Sequence, residues 1–443
     1  MGAIILGAAF LIEAGFATYC ILTKTNQRET RSLIRIGALG VFVILTLTAV
    51  IQWSFRWYGL AALLAVWAAI GAWTLIRTRP ANEKEEKEKV YKPRSIVLHA
   101  AGAVLLVAVA LIPALLFPEH ELIETTGAYD VATALYTYRD ESRVEPYTDT
   151  GEFRKLTVGF WYPENYDAAD VHTFPLVVFS HGGLGIKSSN ESLYHELASH
   201  GYVVCSIDHT YQALFTTDVD GNTTWIDRGY LQEVNTHDAH ARKQQAFEYF
   251  QKWMAIRTGD IDFVIDTILA QAANETADPV YQLVDVTKIG VMGHSLGGSA
   301  ALGVGRMRDD VSAVIALESP FLDDIEGVQD GEFVFTDEVY PLPVLNVYSD
   351  ASWSHLAEWP QYVENYELLS DTEATAFNVH VSGVGHLTLT DLALTSPILT
   401  RILDGQPSPA GAHHSLKTIN KVVLEFFDAY LKGMGNFTAA GTY

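Results

Sequence analysis

The sequence predicts an α/β fold, a mostly parallel sheet with helices on both faces, preceded by a four-helix membrane region. One observation is a series of four apolar runs within residues 1–117. The other is the alternation, from about residue 150, of short β-branched runs with stretches of helical period, because strands that alternate with helices form a parallel sheet covered on both faces. The expected divisions are a membrane anchor at 1–117, a linker and domain entry at 118–150, and the α/β domain at 151–435.

The four apolar runs cover 2–22, 36–52, 58–76 and 95–117. Each has close to the ~20 residues that a helix needs to cross a bilayer. The first run lacks a basic segment before it, so we do not expect a signal peptide. Glu13 lies inside this run and is a candidate functional carboxylate; the alternative is a protonated or helix-paired group in the bundle interior.

The basic residues of the loops predict the orientation. The first loop holds four Lys or Arg residues and the third loop seven, whereas the second holds Arg56 alone. The positive-inside rule therefore places the first and third loops in the cytoplasm. With four spans, we expect a multi-pass protein, in the plasma membrane, whose α/β domain lies on the extracytoplasmic side.

Charge and cysteine content exclude several functions. Residues 1–116 carry a net charge of +6, and residues 117–443 carry −30. Such an acidic domain repels nucleic acid, so nucleic acid is not an expected partner. Cys20 and Cys205 provide neither a disulfide framework nor a metal cluster, and we expect two buried thiols and no metal or other cofactor.

The soluble part begins with a half-exposed strand at 155–163. Near-continuous apolar runs predict buried parallel strands at 175–180, 202–208, 288–294, 311–318, 343–350 and 376–383. Helical period predicts helices at 192–200, 239–270, 298–308 and 359–369, and a final helix that stops at Gly433. Residues 210–256 form either part of a lid or substrate wall, or a surface insertion followed by a long helix.

A serine stands between one of these strands and the next helix, in "GHSLGG" at 293–298. A sharp strand-to-helix turn leaves no room for side chains near Ser295, which explains the glycines at Gly293 and Gly297. The helix that follows directs its N-terminal N–H groups toward the site. The pattern predicts an α/β-hydrolase nucleophile, although G-x-S-x-G by itself also occurs in ordinary glycine-rich turns.

A second loop, "VVFSHGGLG" at 177–185, follows another strand and predicts an oxyanion site. The expected donors are the backbone N–H groups of Gly183 and Leu296, with Leu184 as the neighbouring alternative to Gly183. We expect His181 to hold the loop rather than to take part in chemistry.

The predicted base and its carboxylate come later in the chain. His386 follows the last strand in a glycine-flanked loop, which favours it over the other histidines after Ser295: His355, His380, His413 and His414. Glu318 and Asp350 each end a parallel strand, where catalytic groups collect. Sequence logic alone slightly favours Asp350.

At these residues the chain resembles the platelet-activating factor acetylhydrolases, lipoprotein-associated phospholipase A2 included. The similar segments are "LVVFSHGGLG", "LASHGYVVCSIDH", "IDFVIDTIL", "VTKIGVMGHSLGGSAAL", "VIALESPF" and "VSGVGHLTLTDLAL". In that family the acid stands in an Ala-Leu-Asp context, so the resemblance implies Glu318, with Glu in place of Asp as a departure. The loop His181-Gly182-Gly183-Leu184 also departs from the family's His-Gly-Leu-Gly.

The resemblance implies Ca²⁺-independent hydrolysis of short or oxidised sn-2 acyl chains of phospholipids. We therefore expect a membrane-anchored serine esterase acting through an acyl-enzyme, with an ester substrate and the bilayer as partners. One alternative is a polyester (cutinase-like) or dienelactone-type hydrolase. Trp353 and Trp359 could line an open groove for either a polymer or a lipid. Another, outside enzymes, is a membrane sensor that uses a hydrolase fold as a binding module.

Overall fold

The computed structural model of the 443-residue chain describes residues 1–77, 92–121, 123–164, 173–370, 373–405 and 408–443. The chain forms two compact units. The first comprises Met1–Glu121 and Thr395–Leu399, and the second comprises Leu122–Leu394 and Thr400–Tyr443. Most of the third predicted loop, with Arg79, Lys84, Lys87 and Lys89, lies outside the described residues.

The N-terminal part of the first unit is helical: α1 Gly2–Thr23, α2 Arg28–Leu47, α3 Tyr58–Arg77, α4 Pro93–Ala110 and α5 Ile112–Leu116. Within the described residues, four helices are long and apolar enough to cross a membrane, α3 being extended by a 3₁₀ turn at Phe55–Trp57. The fourth predicted run is divided between α4 and α5, because Pro113 lacks the N–H that would continue the ladder. Glu13 is half-buried on α1.

The second unit contains a nine-stranded sheet in the order β1-β2-β4-β3-β7-β8-β11-β12-β13. From β4 to β13 all neighbours are parallel, whereas β1 and β2 add antiparallel pairs at one edge. The strands are β1 Asp130–Val144, β2 Phe153–Glu164, β3 Phe174–Ser180, β4 Val203–Asp208, β7 Val284–His294, β8 Val311–Leu317, β11 Val344–Ser349, β12 Ala376–Val381 and β13 Gly441–Thr442. All seven predicted strands are present. The sheet also includes β1, inside the segment predicted as linker and domain entry, and β13, after residue 435.

The longer helices are α6 Glu191–Ser199, α7 Arg228–Thr236, α8 Lys243–Ala272, α10 Leu296–Met307, α14 Pro397–Asp404 and α15 Gly411–Tyr430. Shorter ones are α9 Pro279–Gln282, α11 Asp350–Trp353, α12 Val363–Glu367 and α13 Leu392–Thr395. The predicted helix at 359–369 is interrupted: Pro360–Tyr362 is a 3₁₀ turn ahead of α12. Residues 210–256 form the β5–β6 hairpin (Phe215–Thr217 and Thr223–Trp225), α7 and the start of α8; a second hairpin joins β9 Ile325–Gln329 to β10 Glu332–Phe335.

Helices cover both faces of the sheet, as predicted. Strand β3 shows why its sequence is continuously apolar: Val177 and Phe179 belong to the core cluster that contains α6 and α15. Leu176 and Val178 belong to the cluster that contains α8 and α10. A strand buried on both faces has no position for a polar side chain. Polar groups are therefore confined to its carboxyl end, where the loops of the candidate site begin. Cys20 and Cys205 are buried free thiols, as expected.

Candidate active site

Ser295 occupies the turn between β7 and α10 in a strained conformation, with φ 53° and ψ −126°. Such a conformation is costly for a residue with a side chain and persists only where its surroundings enforce it. Here the Ser295 N–H donates to the Leu317 carbonyl of β8 at 2.8 Å. A β-carbon at Gly293 would collide with the backbone of Gly297, and one at Gly297 would collide with the Ser180 carbonyl. The glycine spacing is therefore a steric requirement of this turn.

Glu318 follows β8 directly and is the carboxylate that faces His386. Its side chain is 1% exposed, and its Oε2 lies 3.5 Å from His386 Nδ1. Its Oε1 accepts a hydrogen bond from Ser349 Oγ at 2.8 Å. Burial by itself would raise the pKa of Glu318, but the neighbouring His386 and the Ser349 hydroxyl bring that pKa below its usual value. Glu318 is therefore a carboxylate at neutral pH.

His386 begins a 3₁₀ turn, His386–Leu389, in the loop after β12. The Asp404 carboxylate holds this turn by accepting the Leu387 N–H at 2.8 Å. About a third of the His386 side chain, 34%, is exposed. Burial works to lower the pKa of His386, but the Glu318 carboxylate outweighs burial, and the pKa lies above its ordinary value. The imidazole is thus accessible and oriented.

His294, next to the nucleophile candidate, supports His386 in a way that sequence reasoning missed. The two rings lie 4.5 Å apart, and His294 Nε2 donates to the His386 carbonyl at 3.1 Å. Burial, followed by the nearby His386, lowers the pKa of His294 to about 3. A neutral His294 can therefore hold the His386 backbone without adding a charge beside the imidazole. The sequence signal that could have indicated this role is the position of His294 directly before Ser295.

Asp350, which sequence logic alone slightly favoured as the acid, lies against a different histidine. Its Oδ1 is 2.8 Å from His380 Nε2, and its Oδ2 accepts the Gly383 N–H at 2.8 Å. The Asp350 side chain is 52% exposed. Trp353 stacks on the His380 ring, with the two ring centroids 4.8 Å apart. Asp350 thus fixes the loop between β12 and His386, whereas Glu318 faces the imidazole.

The other candidate bases, His355, His413 and His414, do not face Glu318. His355 pairs with Glu358 at 2.9 Å on the surface and stacks on Trp359. His413 and His414 are exposed on α15. Among the described residues, no group of three or more His, Cys, Asp or Glu side chains is arranged to hold a metal ion.

The loop 181–185 lies beside the turn that carries Ser295. A β-carbon at Gly182 would be 3.4 Å from Ser295 Cβ and 2.9 Å from His294 Nδ1, so this position requires glycine. In the described part of the chain, no protein acceptor takes the N–H of Gly183, Leu184 or Leu296. Leu296 is the first residue of α10, and a backbone donor left without a partner at a helix N-terminus favours negative charge.

A row of buried polar side chains, Ser180, His209 and Asp260, begins at the end of β3, next to this loop. Ser180 Oγ lies 2.7 Å from His209 Nε2, and His209 Nδ1 lies 2.9 Å from Asp260 Oδ2. Arg154 binds the same carboxylate through two nitrogens, each at 2.6 Å. Burial, followed by the charge of Arg257, lowers the pKa of His209 to about 4, so His209 is neutral. All three members of this Ser–His–Asp row are fully buried, so it braces the end of β3 rather than meeting a substrate.

Parts of the chain are similar to known proteins. A family model described as platelet-activating factor acetylhydrolase, isoform II, matches residues 162–439, which is more than half of the chain. The platelet-activating factor acetylhydrolase of Canis lupus familiaris is 31% identical over 145 residues, which are 29% of this chain and 31% of that protein. Cutinase 2 of Thermobifida cellulosilytica is 27% identical over 159 residues, which are 36% of this chain and 45% of the cutinase. The matched stretches thus span less than half of either relative.

A solved structure shares the fold. The ferulic acid esterase from Streptomyces cinnamoneus superposes with a TM-score of 0.55 at 24% identity, over 72% of this chain and 94% of the esterase. The predicted α/β-hydrolase fold is confirmed by this likeness and by the sheet order. The family model agrees with the expected class, a carboxylic ester hydrolase of the α/β-hydrolase type. The chain belongs to the family of platelet-activating factor acetylhydrolase, isoform II.

Proposed function

We propose that the chain is a membrane-anchored serine esterase in which Ser295, His386 and Glu318 act together. The observation that carries the proposal is the buried Glu318 carboxylate 3.5 Å from His386 Nδ1, beside a strained serine turn. His386 Nε2 takes the Ser295 proton as Oγ attacks the ester carbonyl. The N–H groups of Gly183 and Leu296 receive the oxyanion. Glu318 keeps Nδ1 protonated and stabilises the imidazolium.

The second half of the reaction returns the enzyme to its starting state. The imidazolium gives its proton to the leaving alcohol as the carbonyl–oxygen bond breaks, which leaves an acyl-Ser295 ester. His386 then takes a proton from water, and the hydroxide attacks the acyl carbonyl. The imidazolium returns the proton to Ser295 Oγ, and the carboxylic acid departs.

The pH dependence of this reaction follows from the raised pKa of His386. The base must be neutral, so kcat/KM for p-nitrophenyl acetate is expected to rise with pH and to reach half its plateau above pH 6.5, the ordinary value for histidine. The Glu318 charge raises this pKa, so Glu318→Gln should move the midpoint to lower pH. A midpoint that is unchanged in Glu318→Gln would contradict the pairing.

The proposed substrates are short-chain or phospholipid-type esters. The family model and the similarity to the dog acetylhydrolase support this class. The similarity to cutinases supports polyesters as the second candidate. The two tryptophans expected to line a groove do not separate these candidates, since the groove was expected for either polymer or lipid; Trp353 stacks on His380 and Trp359 stacks on His355. The two substrate candidates can be separated by hydrolysis rates, measured on a short sn-2 phospholipid, a long-chain phospholipid, a triglyceride and a polyester film. We expect the short sn-2 phospholipid to be hydrolysed fastest, and a faster polyester reaction would overturn this assignment.

The membrane anchor is supported by the outward faces of the N-terminal helices. Large apolar side chains there are at least 70% exposed: Ile4, Leu11, Leu22, Leu47, Ile76 and Leu98. Such faces are stable in lipid and prone to aggregate in water. The basic first loop supports a cytoplasmic position for that loop and an extracytoplasmic catalytic domain.

External protease added to intact cells is expected to degrade the catalytic domain. The same treatment should leave a tag inserted in the first loop, at Thr25, intact until the membrane is permeabilised. A catalytic domain that resists protease until permeabilisation would contradict this orientation.

A further inference from the structure

We propose that Arg257 and Tyr230 are positioning residues that turn the N–H groups of loop 181–184 toward the oxyanion. This inference rests on the proposed function. Neither residue adjoins Ser295, Glu318 or His386 in the sequence, and both belong to the segment between β4 and β7. Arg257 lies on α8 and Tyr230 on α7, and each is 0% exposed.

Together these two side chains hold three consecutive carbonyl groups. Arg257 Nη1 donates to the His181 carbonyl at 2.5 Å, and Arg257 Nη2 lies 3.4 Å from the Gly182 carbonyl. The Tyr230 hydroxyl donates to the Gly183 carbonyl at 2.9 Å. Arg257 Nη2 also donates to the Tyr230 oxygen at 3.4 Å, which links the two residues. The carbonyls of the loop are therefore drawn toward α7 and α8.

Peptide geometry then determines the direction in which the N–H groups of the loop point. A trans peptide unit is planar, so its C=O and its N–H point in opposite directions. Holding the carbonyls of His181, Gly182 and Gly183 therefore directs the N–H groups of the residues that follow each of them away from Arg257 and Tyr230. Two of these, Gly183 and Leu184, donate to no protein acceptor among the described residues. The contact that a β-carbon at Gly182 would make with Ser295 Cβ shows that this side of the loop borders the nucleophile.

Arg257 also carries a buried positive charge, and the hydrogen-bond acceptors around its guanidinium are neutral groups. Its Nε donates to Gln212 Oε1 at 2.7 Å, and its other partners are the two carbonyls and the Tyr230 hydroxyl. Within the described residues, no carboxylate oxygen lies within 4 Å of this guanidinium. A buried cation without a carboxylate partner is costly to fold, and its field is available to negative charge that develops on the other side of the loop.

His181 also helps to hold the loop carbonyls. His181 Nδ1 donates to the Gly182 carbonyl at 2.6 Å, and its Nε2 accepts the His209 N–H at 3.3 Å. Burial, followed by the charge of Arg257, lowers the pKa of His181 well below its ordinary value. His181 is thus neutral and supports the same carbonyl as Arg257, which agrees with its expected role in holding the loop.

The test compares Arg257→Gln and Tyr230→Phe in the full-length, detergent-solubilised chain. Tyr340→Phe is the matched control, because the buried Tyr340 hydroxyl also donates to a backbone carbonyl, that of Leu302 at 2.8 Å. Active molecules are counted by titration with a fluorophosphonate, so that unfolded protein does not enter kcat. The readouts are kcat and KM for p-nitrophenyl acetate, the affinity for a trifluoromethyl ketone, which forms an oxyanion adduct, and the rate ratio of an ester to its thionoester.

We expect Arg257→Gln to lower kcat by about 10²-fold and Tyr230→Phe by about 10-fold, with KM within about threefold, since one oxyanion donor contributes ~10²–10³. Trifluoromethyl ketone affinity and the ester-to-thionoester ratio should fall with kcat, and Tyr340→Phe should change none of them. A fall in kcat with unchanged ketone affinity, or no fall in either variant, would overturn the inference. Should Arg257→Gln fail to fold, Tyr230→Phe decides alone. If the unaltered chain takes no fluorophosphonate, the proposed function fails instead.

Discussion

Replacement of Ser295 by alanine is expected to lower kcat for p-nitrophenyl acetate by at least about 10⁴-fold, because the acyl-enzyme can no longer form. Ser295 combines a strained backbone conformation with neighbouring glycines that the turn requires sterically. The chain should still fold, since alanine removes one oxygen and no buried apolar contact. Initial rates and thermal denaturation of the detergent-solubilised protein measure the two effects separately.

Ser206→Ala is the matched control for this experiment. Ser206 is a buried serine of β4 whose Oγ lies 3.2 Å from the Tyr194 hydroxyl. The Ser206→Ala protein should keep its esterase activity, although it too has lost one serine hydroxyl group. A Ser295→Ala protein that still hydrolyses the ester at a tenth of the original rate would show that another group is the nucleophile.

Glu318→Gln is expected to lower kcat by about 10³–10⁴-fold, the second large effect. Glutamine keeps the size of the side chain but removes the charge that stabilises the imidazolium and orients its tautomer. Asp350→Asn is the comparison variant, because Asp350 was the alternative acid and its carboxylate binds His380 and the Gly383 N–H instead. We expect Asp350→Asn to stay within about tenfold of the unaltered chain. Steady-state rates of the two variants, measured side by side, give the ranking, and the reverse ranking would return Asp350 to the role of acid.

Steric and packing constraints explain which parts of this site could be predicted from sequence. The turn at Ser295 needs glycine at fixed positions, so its five-residue pattern reports its geometry directly. Buried parallel strands must be apolar on both faces, so the strands next to the turn were also recognisable. The edge strand β1 lies in the segment predicted as linker and domain entry. It was not recognised as a strand because an antiparallel edge strand is half-exposed, and its polar residues interrupt the apolar run.

The choice between Glu318 and Asp350 could not be made from strand position, since both follow parallel strands. It depends on where each side chain turns after the strand: Glu318 adopts φ 52°, and its N–H donates to the Val347 carbonyl of β11. Likewise, the role proposed for Arg257 depends on which face of the 30-residue α8 meets a loop 76 residues earlier in the chain. Long-range contacts of this kind leave no local sequence pattern.

Labelling with a fluorophosphonate, followed by mass spectrometry of the digested protein, tests the central claim most directly. A serine activated by His386 displaces the fluoride and keeps the phosphonyl group, whereas a binding module remains unlabelled. We predict one adduct, on the peptide that contains Ser295, and none in the Ser295→Ala chain. The absence of any adduct, or an adduct on Ser180 of the buried Ser–His–Asp row, would contradict the account.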